Sequence, residues 1–200
     1  SIMKLVTLTF SILICVGFPA ATVVADPAKV QKDTGSSVVT TRDAWGIPSI
    51  KGSSLTDVYE EYGYVMAVDR LWQFETNRRF SQGKLSEIYG PPLVSADRQT
   101  LLMGYSDEEY MSIFESLSPR TQMLIQAYVK GVNRRVNEVL ADPSSIPLEF
   151  LTLHIKPVLI DELDIMAFST ALMRRFGFLG GGEFEHLATI KTLNDKFGET

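Results

Sequence analysis

Chemistry-bearing side chains are scarce in this sequence. Of its 200 residues one is a cysteine, Cys15, and two are histidines, His154 and His186. Cys15 lies in an N-terminal apolar run. Past that run thiol chemistry, disulfides and zinc clusters are excluded. The histidines fall on different expected elements, where the residue more often serves a surface or packing than proton transfer. No serine occupies a G-x-S-x-G turn. Basic blocks interleaved with aromatics are also missing, which argues against a nucleic-acid partner. The net charge of −5 with 22% charged residues describes a solvated, mildly acidic surface. Only one long apolar run exists, LVTLTFSILICVGF after Met3-Lys4, and it is too short to favour a spanning helix. With Val23-Val24-Ala25 before Asp26 it reads as a secretory signal over residues 1–25, cut after Ala25. The mature chain is then periplasmic or secreted, with no membrane association. Residues 26–36 read as a flexible leader and 37–200 as the folded part. Internal repeats and low-complexity tracts are absent.

What is present is a hairpin followed by helices. Val38–Arg42 and Ile47–Lys51 are rich in β-formers and flank Asp43-Ala44-Trp45-Gly46, a turn composition. Ser54 with Asp57 three residues on suits a helix start. Val58, Tyr62, Val65, Trp72 and Arg79 then recur at helical spacing, widened by Ala67, Leu71 and Phe74. A helix apolar over so much of its girth is expected to be buried. The charges it carries, Asp69, Arg70, Glu75, Arg78 and Arg79, then need close partners. Gly90-Pro91-Pro92 stops regular structure. Asp107–Leu117 is a short helix, and Ser118-Pro119 opens a longer one marked by Ile125, Tyr128, Val132, Val136 and Val139. Residues 147–157 read as a connection. Asp161 caps a helix through about Arg175, and 184–197 is the last, ended by Gly198.

Several stretches in series carry a resemblance. GYVMAVDRLWQ, then Arg78-Arg79, then QGKLSEIYG, resemble the signature near the start of the penicillin G acylase family. RDAWGIPSI before them, and YVKGVNRRV, PLEF, LMRRFGF and EFEHLATIKTLNDKFG after them, follow in the family's order. The resemblance implies an α+β chain, mainly helical with one β-hairpin. It would form part of the two-chain αββα sandwich of N-terminal-nucleophile hydrolases. It also accounts for the missing catalytic set. In that family the nucleophile is the N-terminal serine of a second, larger chain, whose own α-amino group serves as base through a water. No catalytic residue is expected in this chain.

The resemblance assigns three residues to the acyl-binding pocket of an N-acyl amide substrate of the penicillin G type. By position in LMRRF they are Leu172, which stands where well-known members have methionine, Arg175 and Phe176. Spacing alone reads Leu172 and Phe176 as one face of an amphipathic helix packed in a core. The resemblance further implies a structural calcium ion with one glutamate from this chain. Its register favours Glu183 over Glu185, although GGG and a one-residue insertion replace a Ser/Thr-rich loop there. A helix-start carboxylate stabilised by the dipole is the plainer reading of Glu183. Asp69-Arg70 and Arg78-Arg79 read as a buried ion-pair lattice. The expectation is therefore the small chain of a penicillin acylase-like amidohydrolase. Alternatives are the matching chain of an acyl-homoserine-lactone or cephalosporin acylase, or a helical binding module without catalysis.

Overall fold

The computed structural model describes residues 38–179 and 183–198; the expected signal and leader lie outside them. The chain is mainly helical with one two-stranded antiparallel hairpin, as expected. The order is β1 (Val39–Arg42), β2 (Pro48–Lys51), α1 (Leu55–Ser81), α2 (Ser86–Tyr89) and α3 (Val94–Met103). There follow α4 (Asp107–Ser116), α5 (Pro119–Ala141), α6 (Leu148–Thr152), α7 (Glu162–Leu179) and α8 (Glu183–Phe197). Short 3-10 turns at Pro91–Leu93 and Pro143–Ser145 precede α3 and α6.

The hairpin turn is made by Asp43, whose carboxylate accepts from the Trp45 and Ile47 N–H groups, both at 2.9 Å. Gly46 supplies the positive φ of +80° that closes it. Thr40 lies opposite Ile50 and Val39 opposite Lys51. Arg42, at the end of β1, then grips Asp69 of α1 with two hydrogen bonds of 2.8 and 3.0 Å. The hairpin is thereby tied to the long helix by a paired fork, the geometry that makes arginine–carboxylate contacts specific.

Helices α1 and α5 form the body. Ser54 caps α1, its hydroxyl accepting from Asp57 N–H at 3.1 Å. Ser118 caps α5 from Thr121 N–H at 3.2 Å, with Pro119 at the first position. Two glycines let the helices touch. A Cβ on Gly63 would lie 2.1 Å from the Tyr128 carbonyl oxygen, and one on Gly131 only 1.8 Å from that of Glu60. Below this crossing Ala67 and Leu71 meet Val132, Val136 and Val139, the stripe read from the sequence, all buried. Phe150 closes the cluster from α6, its ring edge-on to Trp72 at 5.1 Å.

Four expectations need correction. The stop at Gly90-Pro91-Pro92 is local. The prolines occupy the first positions of a new helical turn, which runs into α3. The connection 147–157 contains α6, which is too short to show a period yet buries Phe150 completely. Helix α7 runs past Arg175 to Leu179. Helix α1 is not buried around its girth: Tyr59, Tyr62 and Val68 are exposed. It also breaks at Arg70, where φ is −142° and ψ is 30°, with no proline or glycine to mark it.

Candidate functional site

Helix α7 begins in a network of buried and half-buried charged side chains. Asp161 and Asp164 cap it reciprocally, each carboxylate accepting from the other's N–H at 3.0 and 3.1 Å. The second oxygen of Asp164 accepts from Gln82 Nε2 at 2.5 Å and lies 4.0 Å from the Arg78 guanidinium. Arg78 in turn holds buried Glu75 at 2.9 and 3.0 Å, and Arg79 holds the same carboxylate at 2.6 Å. Arg79 extends the chain of charges to Glu87 at 2.6 Å.

The lattice expected around Arg78-Arg79 therefore exists, and it locks the end of α1 to the start of α7. It includes neither half of the other expected pair. Asp69 serves the hairpin, and exposed Arg70 bonds Gln73 at 2.9 Å.

Burial sets the charges. Asp164 is held above the usual carboxylate range by desolvation, against the opposing pull of the Asp161 N–H and of Arg78. Burial works against the Arg78 charge as well. Hydrogen bonding and attraction from Glu75, Asp164 and Glu87 outweigh it, so the guanidinium stays above its ordinary value. A small cleft beside Glu75 and Arg78, walled by Phe74, Phe150 and Val158, belongs to this structural lattice.

Past the lattice the inner half of α7 packs. Met166 and Ala167 meet Tyr110 and Phe114 of α4, and Ala171 is the last buried residue among those described. From Leu172 outward the helix emerges. Leu172 is 40% exposed, Met173 73% and Phe176 66%, and Arg175 is exposed too. Arg175 makes no hydrogen bond or ion pair with the described residues. Spacing alone placed Leu172 and Phe176 in a core. They are instead a bare apolar face with a free guanidinium next to it. Helix α8 continues the pattern, with Leu187, Ile190, Leu193 and Phe197 all exposed.

Glu183 is the first residue of α8, but its side chain and that of Glu185 lie outside the described residues. Among the described residues no group of three or more His, Cys, Asp or Glu could hold a metal. Both histidines are exposed, His154 at a backbone φ of +55° after α6 and His186 on α8. No described helix is long and apolar enough to cross a membrane.

Sequence reasoning missed Arg174. Its guanidinium turns back and donates to the carbonyl of Met103, the last residue of α3. Its neighbour Arg175 has the same composition and no such bond, so only packing separates the two. The signature residues prove architectural. Arg42 with Asp69, Arg79 with Glu87, and the positive-φ glycines Gly83 and Gly90 hold elements together.

Residues 37–200 match the family model described as penicillin amidase. A penicillin G acylase of Escherichia coli is 30% identical over 169 residues, 84% of this chain and 20% of that protein. A penicillin acylase 2 proenzyme of Pseudomonas sp. (strain SE83) is 36% identical over 140 residues, 70% of this chain and 17% of that protein. An acyl-homoserine lactone acylase QuiP of Pseudomonas fluorescens (strain Pf0-1) is 32% identical over 102 residues, 51% of this chain and 12% of that protein. Among solved structures, a thermostable penicillin G acylase from Alcaligenes faecalis superposes with a TM-score of 0.65 at 26% identity. The match covers 82% of this chain and 85% of that one. The chain spans about a fifth of the length of the two penicillin acylase relatives.

Proposed function

This chain belongs to the penicillin amidase family, and from that membership we propose that it is the small chain of a two-chain amide hydrolase. A larger companion chain brings the N-terminal serine and completes the αββα sandwich that the hairpin joins. The serine hydroxyl adds to the amide carbonyl of an N-acyl substrate, its proton passing through water to the serine's own α-amino group. The amine leaves, and water then cleaves the acyl-enzyme ester to release the carboxylic acid. This chain supplies the wall against which the acyl group lies: Leu172 and Phe176 give apolar surface, and Arg175 borders it.

The observation that carries the reading is the outer half of α7. An apolar helix face left open next to an unpaired arginine is what a pocket wall looks like before its opposite side is added. The solved relative supports the chain role, since the likeness covers 85% of a chain of that structure.

Calcium requires about six to eight oxygen ligands. By resemblance to the family, this chain's share of such a site is one carboxylate, Glu183. The companion chain provides the rest. The chain is exported before assembly, its signal ending at Ala25.

The test is expression of the complete precursor followed by assay on an N-phenylacetyl amide. Amine release that falls when Phe176 is replaced by alanine supports the reading. Hydrolysis indifferent to both Phe176→Ala and Leu172→Ala contradicts it. A second reading, hydrolysis of N-acyl homoserine lactones, is favoured by the likeness to the lactone acylase and by the apolar run Gly177-Phe178-Leu179 after the wall. Faster turnover of a long-chain acyl lactone than of the phenylacetyl amide would select it.

A further inference from the structure

The pair Arg174-Arg175 divides its labour. Of residues 172–177 only Arg174 is not exposed. Its Nη1 donates to the Met103 carbonyl, one of the end carbonyls of α3 that no helical N–H satisfies. A guanidinium at that end also meets the negative pole of the α3 dipole. The end of α3 is fixed in its turn, because the Tyr105 N–H donates to the hydroxyl of buried Tyr110 at 3.4 Å.

Leu172 and Phe176 each lie two residues from Arg174, roughly 200° round the helix in either direction. They therefore share the side of α7 opposite the anchor. We propose that Arg174 is a positioning residue for the acyl wall. By fastening one side of the outer half of α7 to the end of α3, it fixes the helix rotation that aims Leu172 and Phe176 at the acyl group. Asp164 secures the inner end of the same helix, so α7 is pinned at two points along its length. The inference rests on the acyl-wall reading given above.

The test uses the complete two-chain protein, with working sites counted by titration with a serine-directed sulfonyl fluoride. Steady-state kinetics are measured on an N-phenylacetyl amide, with phenylacetate as competing acid. Arg174→Ala is expected to raise KM and the phenylacetate inhibition constant about tenfold, the scale of one lost charged hydrogen bond. Turnover per titrated site should stay within about twofold, because no reacting group has moved. Arg174→Lys, which keeps one donor, should recover most of the loss. If Arg174→Ala does not mature, Arg174→Gln is judged on the same criterion. Unchanged KM in the Arg174 variants, with KM raised in Leu172→Ala and Phe176→Ala, overturns the positioning role and leaves the wall standing. Unchanged KM in all of them overturns both.

Discussion

Gly63 and Gly131 set the distance between the two longest helices. Replacing a helical glycine by alanine usually stabilises by about 0.5–1 kcal/mol through backbone entropy. Here the new methyl would press on the Glu60 carbonyl, so Gly131→Ala should instead destabilise the chain by about 1–3 kcal/mol, read as a lower urea midpoint. Glu75 makes a second case. It is 5% exposed and neutralises two arginines, so Glu75→Gln leaves both without their shared carboxylate and should cost about 3–5 kcal/mol. Asp164 gives the pH dependence. Its folded pKa lies above the unfolded 3.8, so its stabilising contribution is complete below that value and is lost as pH rises through the folded one. Asp164→Asn cannot titrate. Urea midpoints measured across the acid range should show the difference between parent and variant moving in the variant's favour as pH rises.

Elements were legible in proportion to their length and caps. Ser54, Ser118 and Asp161 each announced a helix, because a hydroxyl or carboxylate before an apolar period has one main use there. The hairpin was legible from the β-forming stretches on either side of a turn that holds Asp43 and Gly46. Helices α3 and α6 were not, being marked by prolines that serve equally as stops and starts, and by too few residues to display a period. The break at Arg70 left no trace in the sequence, and neither did the difference between Arg174 and Arg175. Both depend on what packs alongside. The exposure of Leu172 and Phe176 was not legible from periodicity, which put both in a core; the acyl-wall role comes from resemblance alone. At this scale the account makes a prediction for α8, whose described side chains from His186 onward are all exposed. Its amides should exchange with solvent within seconds to minutes in the chain alone, and be protected at least about tenfold in the two-chain protein. Equal exchange in both states would mean that α8 is not covered on assembly.

For the whole molecule, the open faces and the missing nucleophile point the same way. The buried clusters join α1, α5 and α6, and α4 with the inner half of α7, while the outer half of α7 and α8 carry exposed apolar side chains that no other described residue covers. Covering them stabilises an assembly by roughly 25 cal/mol per Å² of apolar surface removed from water. The most direct test is to trap the acyl-enzyme of the complete protein with a slowly released N-acyl substrate and locate the added mass by peptide mass spectrometry. The account predicts the acyl group on the N-terminal serine of the companion chain and none on this one. An acyl group on any residue of this chain, or turnover by this chain alone, would contradict it.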